Sequence, residues 1–286
     1  MKKSCQYVVI TAVVCYVSMV AVNLMSLYLE SPFHSSSPLA CTDRENSLYI
    51  PGAGFSGFFY TLGRLSSLRV NESSISVEAP QDYYCFSSGC LALVTHLMGR
   101  NVDSALELAH ESRNQFMSGN IGKYSVVGKF VDGLLFGDTD TDTDTTAQRL
   151  EKEGGDNNCT MHHNNTSDAI HQLHDHLSRI NVITTSWNEA KFPLQTIRRP
   201  TSIDQLKQML IQTTWIPYFT GPSIFEGDYH NDGGFAIVFG FKGLQQNCYS
   251  LRMPWRIDLI SNFLNLFLSR DRAKYFWEEG LKKGLD

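Results

Sequence analysis

Short apolar runs alternate with stretches of helical period along most of this chain. Ser47-Leu48-Tyr49-Ile50 reads as a strand ended by Pro51, and Arg179 to Ser186, Leu194 to Arg198 and Gly233 to Phe241 read as further strands. Phe58 to Leu65 and Tyr124 to Phe136 read as helices, as does Val102 to Met117, with Leu106, Ala109 and Arg113 spaced along it. Ser202 is a good N-cap for a helix over Ile203 to Thr213, and Trp255 to Phe267 and Arg270 to Lys283 are amphipathic. Tyr83-Tyr84-Cys85-Phe86 runs as a strand into Ser87, and a small-residue helical pattern leaves it, reaching about Met98. Strands alternating with helices predict an α/β layered sheet. No internal repeat is visible.

Two segments break this pattern. Tyr7 to Leu29 carries no charge and follows Met1-Lys2-Lys3. It is long enough to span a bilayer, which takes about 20 apolar residues. It reads as a transmembrane signal anchor, with a cleaved signal peptide as the alternative. The lysines place residues 1–6 in the cytosol and the rest in the lumen or outside the cell. Residues 30–45 are Ser/Pro-rich and read as a linker, and 46–286 form the folded domain. The second break, about 137–168, holds the run Asp138 to Thr145 and then Gly, Asn and His. It is expected to be a disordered insertion, with order resuming at Leu177. Its Asp-Thr run lacks the glycine and terminal glutamate of an EF-hand loop.

A formal net charge of −5 without a basic stripe argues against nucleic acid as a partner. Sequons at Asn71, Asn158, Asn164 and Asn165 agree with a lumenal or extracellular domain and make these residues glycosylation candidates. Of the seven cysteines, Cys41, Cys85, Cys90, Cys159 and Cys248 lie beyond the anchor. They show no metal-like spacing. One or two disulfides fit an oxidising lumen, but no pairing can be deduced.

Three segments carry candidate chemistry. Ser87 sits at the tip of a strand-to-helix elbow, with Gly89 in the second glycine position of G-x-S-x-G and Cys85 in the first. The plain alternative is a serine N-cap. Gly52-Ala53-Gly54-Phe55-Ser56-Gly57 follows a strand and opens a helix. Amides there suit an oxyanion hole. A dinucleotide site would need an acidic residue about 20 positions on, where only Glu72 stands, with no strand before it. Asp232, in His230-Asn231-Asp232-Gly233-Gly234, is a carboxylate able to serve a serine as base, although Asp-Gly turns are often only structural. A triad through His230 would leave Asp232 over. His171, His174 and His176, with His162 and His163 nearby, form an imaginable zinc cluster, but they border the insertion on a solvated face.

Together these segments resemble the patatin-like phospholipase family over about Ser47 to Ala236. Gly52 to Gly57 is similar to the family's glycine-rich oxyanion motif, in the branch where a hydrophobic residue follows the second glycine. Phe86-Ser87-Ser88-Gly89 resembles the nucleophile motif, and Asp232-Gly233-Gly234 the motif of the dyad aspartate. Thr213 to Phe219 resembles the segment in which members carry Ile-Pro before the aspartate loop. The resemblance implies a three-layer α/β/α sandwich behind the transmembrane helix, and lipid acyl hydrolysis without a cofactor or metal. It makes Ser87 the nucleophile, Asp232 the base, Gly52, Ala53, Gly54, Phe55, Ser56 and Gly57 the oxyanion hole, and a membrane phospholipid or acylglycerol the partner. The sequence departs from the family pattern at Cys85. The alternative is therefore an inactive relative that binds lipid or a partner in the same pocket.

Overall fold

The computed structural model describes residues 46–71, 80–137, 163–186, 194–223, 225–227, 229–234, 249–251 and 268–283, with positions 254, 258 and 262. The chain is an α/β protein built on a mixed sheet. Its strands are β1 (Ser47–Ile50), β2 (Asp82–Cys85), β3 (Ile180–Ser186), β4 (Leu194–Arg198), β5 (His230–Asn231) and β6 (Tyr249–Ser250). They lie in the order β4-β3-β2-β1-β6, with β5 also on β3. β1, β2, β3 and β6 pair in parallel, while β4 and β5 run antiparallel to β3.

The helices are α1 (Gly54–Asn71), α2 (Ser88–Leu97), α3 (Val102–Met117), α4 (Val126–Phe136), α5 (His163–His176), α6 (Ile203–Thr213) and α7 (Arg270–Lys283). Two starts are set by side chains that satisfy first-turn amides. Asn101 accepts from Ser104 N–H at 2.8 Å, and Ser202 accepts from Gln205 N–H at 3.1 Å. Side chains alternate across the strands. Leu48, Ile50, Tyr83, Cys85, Ile180 and Val182 join the main apolar core with the helices. Tyr49 and Ile183 point to the other face, where they meet Phe86.

The register places the site. β2 pairs with β3 only up to Cys85↔Val182, whereas β3 continues to Ser186. β4 occupies one edge of β3 over Val182–Ser186. β5 pairs with Thr185 and Ser186, so it takes the edge that β2 vacates. Ser87 leaves the sheet where β2 ends, and Asp232 follows β5 into the neighbouring position.

The structure departs from the sequence expectations at a few places. α1 begins at Gly54, four residues before the expected start, so the last four of the six residues Gly52 to Gly57 are helix. α5 begins at His163, inside the stretch expected as insertion. Asn164 and Asn165 therefore lie in a helical turn, not a loop, and Asn71 is the last residue of α1. Gly233 and Gly234 form a turn. From the sequence they are expected to open a strand over Gly233 to Phe241; the rest of that strand, and most of the helix expected over Trp255 to Phe267, fall outside the described residues. So do Asn158, residues 138–162, the linker and the expected anchor over 7–29. Among the described residues, no helix is long and apolar enough to cross a membrane.

Candidate active site

Ser87 is the hinge between β2 and α2, with φ 52° and ψ −138°. A positive φ in a non-glycine residue costs on the order of 1–3 kcal/mol and persists only where the surroundings impose it. The imposing contacts are visible. Ser87 N–H donates to Thr213 Oγ1 at 2.9 Å, and that hydroxyl donates to Ile183 O at 2.7 Å. Gly89 N–H and Cys90 N–H close the turn onto Phe86 O and Ser87 O, each at 3.0 Å. Gly89 is needed for space, because a Cβ there would stand 2.5 Å from Ile50 O. Cys85 is disulfide-bonded to Cys90, with Cα atoms 4.9 Å apart, and both are fully buried. The residue that breaks the G-x-S-x-G pattern is thus bonded across the elbow.

The glycine-rich turn lies directly against this hinge. A Cβ on Gly52 would come within 2.4 Å of Ser87 Cβ. Ala53 N–H donates to Ser88 Oγ at 2.9 Å, which latches the turn to the elbow. Gly57 N–H donates to Ala53 O at 3.2 Å. Two of the six expected oxyanion residues therefore have their amides engaged. Ser56 is buried. Gly54, at φ 63°, and Phe55 carry first-turn amides with no acceptor inside the helix, and both line a small cavity with Ser87. Leu91, Ile216 and Phe219 give that cavity an apolar wall. A neighbouring cavity of about 370 Å³ shares Val127, Thr214 and Thr220 with it.

Asp232 is held from several directions. Its N–H donates to Trp215 O at 3.0 Å, and its carbonyl accepts from Thr185 Oγ1 at 2.8 Å. Gly234 N–H donates to Oδ1 at 2.7 Å. The Gln195 side-chain amide donates to Gly233 O. The residue is 7% exposed. Burial pushes its pKa from 3.8 up to about 6, against the opposing pull of the Ser87 hydroxyl and of Gly234 N–H. Oδ2 is buried with no hydrogen-bond partner, so no hydrogen bond of normal geometry joins it to Ser87. Catalytic hydrogen bonds are commonly loose before a substrate closes the site.

Phe86 joins the three segments. A Cβ on Gly52 would meet its ring at 3.0 Å, one on Gly234 would meet the ring at 3.0 Å, and one on Gly233 would meet its Cβ at 2.5 Å. The glycines of both motifs thus let the backbone close around one aromatic side chain. His230, the alternative base, has Nδ1 3.2 Å from Thr184 Oγ1 on β3. His171 and His174 stand exposed on α5. Among the described residues, no three His, Cys, Asp or Glu side chains are grouped to hold a metal. Sequence reasoning missed Thr213, Ser88 and Phe86 as supports, and left Cys90 unpaired. The one available signal was that Cys85 and Cys90 flank Ser87.

No family model matches this chain, and no curated protein matches it in sequence.

Proposed function

We propose that this chain is a patatin-like serine hydrolase, with a three-layer α/β/α sandwich, that cleaves acyl esters of membrane lipids. The observation that carries this reading is a strained elbow serine facing a buried aspartate beside a helix start. Ser87 Oγ attacks the ester carbonyl carbon, and Asp232 takes its proton. The amides of Gly54 and Phe55 stabilise the oxyanion, each contributing about 3 kcal/mol. Asp232 then protonates the leaving alcohol. It next takes a proton from the water that attacks the acyl-enzyme, releasing fatty acid and restoring Ser87. The apolar wall that Leu91, Ile216 and Phe219 give the small cavity at Ser87 suits the start of an acyl chain. No step requires a metal or cofactor. The reading of an inactive relative draws no support from Cys85, whose side chain is tied to Cys90.

The test is reaction with a fluorophosphonate probe, together with fatty-acid release from phospholipid and acylglycerol. The native chain labels and hydrolyses, Ser87→Ala does neither, and Asp232→Asn loses turnover. Hydrolysis that survives Ser87→Ala sinks the dyad.

A further inference from the structure

Ser87 does not hold its conformation by itself. Its N–H donates to Thr213, and further hydrogen bonds close the turn around it, but only one restraint is covalent. The Cys85–Cys90 disulfide links the last residue of β2 to the first turn of α2 and encloses Ser87 between its ends. We propose that this disulfide is a positioning element for the nucleophile, taking the place of the glycine that opens other elbows. The inference rests on the hydrolase reading above.

A glycine in that position works by having no side chain to collide with the helix that follows. Here two side chains occupy the space, and the bond makes them fit. Bonded sulfurs sit well inside the contact distance of two separate thiols. In the reduced chain the same atoms would press the end of β2 and the start of α2 apart. The residue between them is Ser87, whose hydroxyl must meet Asp232 and the cavity together. Both cysteines are fully buried in the core, out of reach of a reductant in the folded chain. The bond is therefore a permanent staple and not a switch. It forms during folding: two thiols pass two electrons and two protons to a disulfide-bearing oxidant, which leaves as a dithiol. That requirement favours an oxidising compartment.

The test uses the full chain and two double variants. Cys85→Ser with Cys90→Ser keeps one heavy atom beyond each Cβ and removes the bond. Cys85→Gly with Cys90→Ala removes both. Alkylation in denaturant without reductant, followed by peptide mass, shows the native pair resistant to the reagent. Thermal melting identifies which variants are folded. The turnover of a soluble short-chain ester and the rate of fluorophosphonate labelling then report on Ser87. The serine pair binds with unchanged KM but loses about 100-fold in kcat, as a displaced reacting group does. The Gly/Ala pair recovers most of that loss. Two alkylatable thiols in the native chain overturn the inference, and so does native kcat in the serine pair. Should the serine pair not fold, the native chain refolded with reductant takes its place: kcat about 100-fold lower and restored on reoxidation supports the inference, and native kcat with both thiols alkylatable overturns it. A native chain that holds the bond but neither labels nor hydrolyses overturns the hydrolase reading as well. Native labelling with unaffected variants overturns the inference alone.

Discussion

Asp232 works against the stability of its own fold. Burial raises its carboxyl from 3.8 to about 6. Below pH 3.8 the group is protonated whether the chain is folded or not. As pH rises, the unfolded chain ionises first, and stability falls until the folded carboxyl ionises near 6. Above that the loss is constant at about 3 kcal/mol, set by the size of the shift. Asp232→Asn should therefore unfold at higher denaturant than the native chain at pH 7.5 and gain nothing at pH 3.5. Equal gains at both values would show that the carboxyl is not held this way. On the proposed mechanism the same group also sets the rate. A base must be ionised, so kcat/KM should climb through an apparent pKa near 6 to a plateau. A flat profile between pH 5 and 8 would remove Asp232 from the role.

At the scale of elements, α1 does two jobs. Its first turn lines the cavity at Ser87, and its middle crosses α7 at backbone contact. A Cβ on Gly63 would stand 2.0 Å from Trp277 O, and one on Gly280 would stand 2.0 Å from Tyr60 O. Neither backbone can yield cheaply. Gly280→Val should cost about 3 kcal/mol, at the upper end for overpacking, and lower the melting temperature by several degrees. It should also slow labelling of Ser87, because tilting α1 moves its N-terminus. A variant that melts normally would show that the helices have room. The sequence told much about such elements. α3, α6, α7, β1 and β4 lie where periodicity and breakers put them. Ser202 caps its helix as expected. The start of α1 was hidden because Gly52 to Gly57 carries low helix propensity, which tertiary packing overrides. α5 was hidden for the same reason, since His163 to Asp168 offers no apolar stripe. β6 is two residues long and has no pattern of its own.

At the scale of the whole molecule, the site was legible as three motifs but not as an assembly. Ser87, Gly52 to Gly57 and Asp232 each announce a turn. That all three close on Phe86 depends on β3 outrunning β2, a matter of register that spacing along the chain does not record. The expected topology remains a reading of residues 7–29 and of the sequons. On that reading the domain faces the lumen or the exterior, where the Cys85–Cys90 bond can form. Treatment with an endoglycosidase should then shift the mobility of the cell-made protein. An unchanged band would place the domain in the cytosol or leave the sequons unused. The notch beside β3 carries one more consequence. The hydroxyl that pins Ser87 comes from Thr213, 126 residues further along, and Asp232 comes later still. Closing so long a loop must precede any reward from the contact. A ribosome that has released the elbow has not yet supplied Thr213 or Asp232, and a message cut short before β5 encodes the elbow without the aspartate proposed to receive its proton.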